Sequence, residues 1–128
     1  MIGMPPYADL LGLVAETGDD GAPVLMMPFA TPVLGRPGFL HGGAISGLME
    51  MAAIVALHAA LESEGGGEIK PINVTVDFMR GGRDKETRSR GVVTRLGTRV
   101  ANVEATAWQG DPAKPIAAAR MNYLIVRT

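Results

Sequence analysis

The sequence predicts an α+β fold in which a curved antiparallel sheet rolls around one long, nearly enclosed helix. Three observations carry that prediction. From Gly42 to Glu62 the chain has no proline and is rich in Ala, Leu and Met, with apolar residues on every side of the helix rather than along one stripe. Ile72, Val74, Val76 and Phe78 alternate with Asn73, Thr75, Asp77 and Met79, the period-two pattern of a strand with one apolar face. Three further strand-like segments, Thr87 to Leu96, Arg99 to Gln109 and Pro115 to Val126, follow across short turns, which implies antiparallel pairing. Lengths agree as well: a 21-residue helix rises about 31 Å and a strand of about ten residues spans about 33 Å.

At 128 residues the chain is read as a single domain, 1–128, long enough to enclose a sizeable core. Apolar residues make up 47% and charged residues 20%, the balance of a soluble globular protein. Cysteine is absent, so neither a disulfide nor a thiolate zinc site is expected.

Taken in order, PYADLLGLVAE (residues 6–16) predicts a short amphipathic helix with a proline near its start. Residues 18–21 supply a turn. Ala22 to Ala30 reads as a strand whose Pro28 belongs at its edge or end. Pro32, Gly35, Pro37 and Gly38 make residues 31–40 a loop. The long helix then runs to a polar stop at ESEGGG. Gly65, Gly66 and Gly67 form a flexible joint rather than a phosphate loop, because no G-x-x-x-x-G-K pattern surrounds them. Gly81 and Gly82 turn the chain after the first alternating strand, and Gly97-Thr98 and Gly110-Asp111-Pro112 separate the later ones.

The apolar run Ala44 to Leu61 approaches the length of a membrane span, but it carries Ser46, Gly47, Glu50 and His58. A charge at mid-span is costly in lipid, so burial inside protein is expected and no membrane association. The first twenty residues contain no Lys or Arg and place Pro5, Pro6 and Asp9 early, unlike a secretory signal. A cytoplasmic location is the expectation.

Net charge is −1, yet its distribution is lopsided. Residues 1–79 hold two basic and nine acidic groups (−7), whereas 80–128 hold ten and four (+6). Arg80, Arg83, Lys85, Arg88, Arg90, Arg95 and Arg99 form a basic cluster, read either as an ordinary solvated face or as a site for a phosphorylated ligand. Nucleic acid is not an expected partner, since overall charge is slightly negative and aromatics amount to 5%.

Glu50 stands alone inside the apolar helix. A buried carboxylate needs partners or a shifted pKa, so it is read either as a structural acid paired at a gap or with a neighbouring chain, or as a general base or nucleophile. His41-Gly42-Gly43 lies at the helix start, where free N–H groups and the positive dipole end collect. Such amides could polarise a carbonyl oxygen, although two glycines also simply permit a tight turn into the helix. Gly42 and Glu50 lie eight residues apart, about 12 Å along one helix, too far to act on one carbonyl carbon. A two-fold dimer with antiparallel helices would bring Gly42 of one chain beside Glu50 of the other.

GFLHGGAISGLMEMAA, INVTVDFMRGG and VVTRLGTRVANVEATA resemble the hotdog-fold acyl-CoA thioesterases, in the phenylacetate-pathway (PaaI-like) and 4-hydroxybenzoyl-CoA thioesterase branch. The resemblance spans about residues 22–126. It implies a hotdog homodimer, often paired into a homotetramer, that hydrolyses thioesters of coenzyme A without a further cofactor. It also implies roles: Glu50 as the catalytic acid, Gly42 as backbone donor to the thioester carbonyl, and His41 as the residue shaping the helix start. Gly43, Ser46 and Ile54 become expected substrate contacts, and Arg80, Arg83 and Arg99 expected contacts to the coenzyme A phosphates. Whether Glu50 attacks as a nucleophile or assists water stays open. Many relatives carry Asn or Gln six residues before the His, where this chain has Gly35. The helper hydroxyl of the next strand falls on Pro71, and the alternative helper on Ile54. These departures keep a non-catalytic acyl-CoA-binding dimer as the alternative, followed by a hotdog dehydratase. No metal spacing is present, since His41 and His58 have no partnering pattern, and GAISG is not a nucleophile elbow.

Overall fold

The computed structural model describes residues 4–128. The elements are α1 (Pro6–Leu10), β1 (Val14–Thr17), β2 (Pro23–Met27), a 3₁₀ turn (Thr31–Val33), α2 (Gly42–Glu62), β3 (Gly67–Phe78), β4 (Thr87–Leu96), β5 (Val100–Trp108) and β6 (Ala117–Arg127). Six strands form one sheet in the order β1-β2-β4-β5-β6-β3, and every neighbouring pair is antiparallel. The long helix lies on the concave side, chiefly against β4 and β5. This is the hotdog arrangement.

The β-strand alternation explains the core. Ala101, Val103, Ala105 and Ala107 of β5 and Ala117, Ala119, Met121, Tyr123 and Ile125 of β6 all point at the helix and are buried. They meet Leu48, Met49, Ala53, Leu57 and Leu61 of α2. So many alanines let the helix sit close to the sheet, and at Gly91 of β4 the two backbones touch: a Cβ there would lie 2.6 Å from the Ala52 carbonyl oxygen. Helix α2 is long and apolar enough to cross a membrane by composition, but it serves as the core helix of this sheet, with 56% of that stretch buried.

The chain departs from the sequence reading in four places. The expected helix over residues 6–16 ends at Leu10, because Gly12 takes φ +68° and Val14–Thr17 pair instead with β2, in register Val14↔Met26 to Thr17↔Pro23. Tertiary pairing overrides a weak local helix preference. Strand β3 begins at Gly67, five residues before its alternation starts, after Gly65 and Gly66 turn the chain with φ +95° and +85°. Residues 79–86 do not close a hairpin; β3 pairs with β6, and the chain crosses to the far side of β5 to start β4. The crossing passes tightly over the start of α2, where Leu40 N–H donates to the Gly82 carbonyl at 2.8 Å.

The fourth difference matters most for function. Ten residues of α2 are buried, but Gly42, Ser46, Glu50, Ile54 and His58, spaced every four residues, form a ridge that is only half-buried. The chain's own sheet does not enclose the helix all round. Strand β3, at the sheet edge, is likewise uncovered: Val74 and Phe78 face the helix side in register with Met121 and Ala117, yet they remain 42% and 55% exposed. Ile72, in a bulge between Pro71 and Asn73, is 54% exposed.

The lopsided charge is resolved on the outer face, where the two halves of the chain pair. Arg88 Nε and Nη2 donate to the two Glu16 carboxylate oxygens at 2.7 and 3.2 Å, and Arg90 reaches Asp20 at 2.6 Å. Hydrogen bonding by Arg88 holds Glu16 below the usual carboxylate value of 4.5. Asp20 is lowered first by the Ala22 N–H and then by Arg90.

Candidate active site

His41 takes an extended conformation (φ −69°, ψ 134°) and caps α2: its Nδ1 accepts the Gly43 N–H at 2.8 Å. Its own N–H donates to the Val33 carbonyl at 2.8 Å, and its carbonyl accepts from Ala44 and Ile45 at 3.0 and 3.2 Å. The Gly43 amide is therefore consumed within the helix start. Gly42 is different: among the described residues its N–H has no acceptor. A Cβ at Gly35 would press against the His41 Cα at 3.0 Å and its nitrogen at 3.1 Å, so a side chain there would need this tight turn to shift by a few tenths of an ångström.

Gly42 opens into a cavity of about 310 Å³ with Phe39, Phe78, Arg36 and Arg80 around it. Phe39 is held between two guanidinium groups, Arg36 at 4.0 Å and Arg83 at 4.3 Å from the ring centre. Arg36, Arg80 and Arg83 pair with no carboxylate among the described residues. The Arg83 backbone is pinned from both sides by Gln109, which accepts its N–H at 3.0 Å and donates to its carbonyl at 2.9 Å. This end of the molecule thus offers an unoccupied amide donor beside three cations.

Glu50 faces another cavity, of about 400 Å³, walled by Ile54 on α2, by Ile69, Pro71, Ile72 and Val74 on β3, and by Met121 and Tyr123 on β6. The two cavities share no residue. Within one chain, Gly42 and Glu50 are therefore separated by intervening structure as well as by about 12 Å of helix. Tyr123 is buried, and its hydroxyl donates to the Met121 sulfur at 3.5 Å. Burial, with the charge of Glu50 as a smaller cause, pushes the phenol up to about 12.

Of the other residues singled out from sequence, Ile54 stands beside Glu50, while Arg80 and Arg83 gather near Gly42. Ser46 and Gly43 wall neither cavity. Arg99 is not brought to the cationic end of its own chain; it lies in the β4–β5 turn, its carbonyl accepting the Ile125 N–H at 2.7 Å. That turn is held at the far end of the sheet by β5–β6 pairing, so the contiguous basic run of the sequence is dispersed in space. A larger hollow of about 710 Å³ on the outer face is bordered by Glu16, Asp20, Arg88 and Arg90, whose charges already satisfy one another, and none of the expected site residues reach it.

Sequence reasoning missed Arg36, Phe39 and Tyr123. For Tyr123 the signal was present, since the alternation Ala117, Ala119, Met121, Tyr123, Ile125 turns it toward the helix. Arg36 and Phe39 lie in a loop without periodicity and left none. Among the described residues no group of three His, Cys, Asp or Glu is placed to hold a metal ion.

No curated protein matches the sequence. Solved structures do. A protein from Chromobacterium violaceum is 35% identical over 94% of this chain and 83% of its own, with a TM-score of 0.74. A variant of a thioesterase from Pseudomonas aeruginosa is 25% identical over 95% of this chain and 86% of its own, at 0.81. A protein from Bacillus halodurans solved with CoA shares the fold at 15% identity, covering 100% and 83% of the two chains, at 0.80. The thioesterase superfamily profile matches residues 37–116, from the loop before His41 to the residue before β6. With its fold, its capped His-Gly-Gly helix start and that match, the chain belongs to the thioesterase superfamily and is a hotdog-fold thioester hydrolase.

Proposed function

We propose that the protein is an acyl-CoA thioesterase whose active sites form between two copies of the chain. The observation that carries this reading is the half-buried ridge of α2: it presents both Gly42 and Glu50, yet sends them into separate cavities along the uncovered strand β3. Phe78, near the end of β3, adjoins Gly42, whereas residues 69–74, near its beginning, adjoin Glu50. Antiparallel pairing of β3 with its copy, centred near Val74 and Thr75, lays the end of one strand beside the beginning of the other. The Gly42 amide of one subunit then meets the Glu50 cavity of its partner. The same pairing covers the exposed Ile72, Val74 and Phe78 and satisfies an otherwise open sheet edge.

In that arrangement the partner's Gly42 N–H polarises the thioester carbonyl and stabilises the oxyanion. In the water route, Glu50 takes a proton from water as its oxygen bonds to the carbonyl carbon. The carbon–sulfur bond then breaks, and the departing thiolate receives the proton back from Glu50. In the nucleophile route, the carboxylate displaces the thiolate to give an anhydride that water hydrolyses. Arg36, Arg80 and Arg83 at the rim supply cations for the coenzyme A phosphates, with Arg guanidinium geometry suited to them. The apolar walls beside Glu50 receive the acyl group.

A panel of aryl and aliphatic acyl-CoA esters, followed by release of free thiol, tests the reading. Glu50→Gln is expected to lose about 10²- to 10⁴-fold in kcat, the range for a removed general base. Wild-type rates in that variant, or full activity in a monomer, would overturn it.

A further inference from the structure

The Glu50 cavity contains one feature its chemistry does not yet use. Its walls are almost wholly apolar: Ile54, Ile69, Pro71, Ile72 and Val74 offer no side-chain hydrogen bond. Asn73 borders it, but its register with Asn122 points it to the outer face, where its Oδ1 accepts from Asn122 Nδ2 at 2.8 Å. The only side-chain hydroxyl in the walls belongs to Tyr123, directly across from Pro71 in the β3–β6 register. A water activated by a carboxylate needs two or more polar partners to be held in one place. Glu50 is one such partner, and the next strand offers proline where a hydroxyl could have stood.

We infer that Tyr123 supplies the missing hydrogen bond, its phenolic O–H on β6 holding the attacking water against Glu50. The inference rests on the reading of Glu50 as the group that activates water. Three observations support it. Tyr123 is buried and walls the same cavity as the carboxylate, near enough for the Glu50 charge to act on its phenol, so it lies away from bulk solvent. Its resting acceptor is the Met121 thioether at 3.5 Å, a weak partner that is readily exchanged for water. Its raised pKa keeps the proton on the phenol throughout the neutral range, so it remains a donor. The hydroxyl changes no bond during turnover: the water proton still goes to Glu50, and Tyr123 fixes only where the oxygen sits.

Tyr123→Phe removes the oxygen and leaves the ring. Steady-state kinetics on benzoyl-CoA and hexanoyl-CoA, with thermal melting to confirm folding, compare wild type, Tyr123→Phe, Glu50→Gln and the double variant. The inference expects kcat to fall about tenfold in Tyr123→Phe, the effect of one net hydrogen bond, with KM changed by less than about twofold. It also expects the double variant to be no worse than Glu50→Gln, because a positioned water has no value once nothing takes its proton. Unchanged kcat in Tyr123→Phe beside a crippled Glu50→Gln overturns the role of Tyr123 alone. A raised KM with losses that add in the double variant also overturns it and leaves a packing residue. Full activity in Glu50→Gln instead overturns the reading of the site.

Discussion

Subunit sharing can be tested by distributing two lesions between two chains. Gly42→Pro deletes the donor N–H, and the helix should survive it: Gly42 is the first helical residue, where proline is favoured, and His41 already holds ψ 134°, as a residue before proline requires. Glu50→Gln removes the acid while keeping its size. Each homodimer should lose at least about 10²-fold, from the lost oxyanion donor in one and the lost base in the other. Co-expression with two different tags and successive affinity steps isolates the mixed dimer. If each site draws Gly42 from one chain and Glu50 from the other, one of its two sites carries both lesions and the second carries none. About half of wild-type activity should return. The converse dimer, wild type with a chain bearing both changes, has one lesion in each site and should be inactive. Sites confined to single chains predict the opposite pair of results, an inactive first dimer and a half-active second. Observing that opposite pair refutes the shared arrangement.

Other consequences follow from the same geometry. Val74→Lys, on the uncovered face of β3, should yield monomers by sedimentation and abolish turnover while secondary structure is kept, because a lysine on each strand would meet its copy at the centre of the pairing. Arg36→Ala with Arg83→Ala should raise KM for acyl-CoA at least about tenfold with little change in kcat, and flatten the dependence of KM on salt. Glu16→Gln should cost less than about 1 kcal/mol at neutral pH, since its pair with Arg88 is partly solvated. The Glu16 carboxyl is lowered on folding, so its contribution is present above the ordinary value of 4.5 and fades as pH falls through the folded value; chemical denaturation of wild type and variant should converge in acid.

The parts of the fold that sequence made legible are those with a strong period. Helix α2 was readable to its terminal residues because nothing between Gly42 and Glu62 competes with helix, and the Gly and Pro clusters on both sides stop it. Strands β4, β5 and β6 were readable from their turns. Residues 14–17 were not, since Val14 to Thr17 gain an extended form only from Pro23–Met27 across the turn, a contact with no local trace. The crossing after β3 was hidden for a similar reason: Gly81 and Gly82 suit a hairpin, but Gly82 is buried against Ile45, Leu40 and Ile116, where a Cβ would lie 3.1–3.2 Å from their methyl groups. Close packing rather than turning is its use. The basic run is spread along the sheet rather than gathered: Arg88, Arg90 and Arg95 share the outer face of β4 opposite Trp108, Thr106 and Asn102, whereas Arg80 and Arg83 precede the strand and Arg99 lies in the turn after it.

Glu50 shows why the site was partly readable. A carboxylate in an apolar helix demands a special environment, and the sequence alone placed that environment in the core. In the single chain the acid is instead half-buried on the ridge with Ser46, Ile54 and His58, so folding does not bear the full cost of its desolvation. In the proposed dimer that cost would fall on association, when the second chain would close over the cavity and exclude water. Exposed apolar area on Ile72, Val74 and Phe78 would offset it, because their burial would accompany the same step. On the proposed dimer, the uniformly apolar helix, the open edge of β3 and the solitary acid would be three aspects of one requirement: a second chain would complete the surface the first leaves open, and both halves of the reaction centre would meet there.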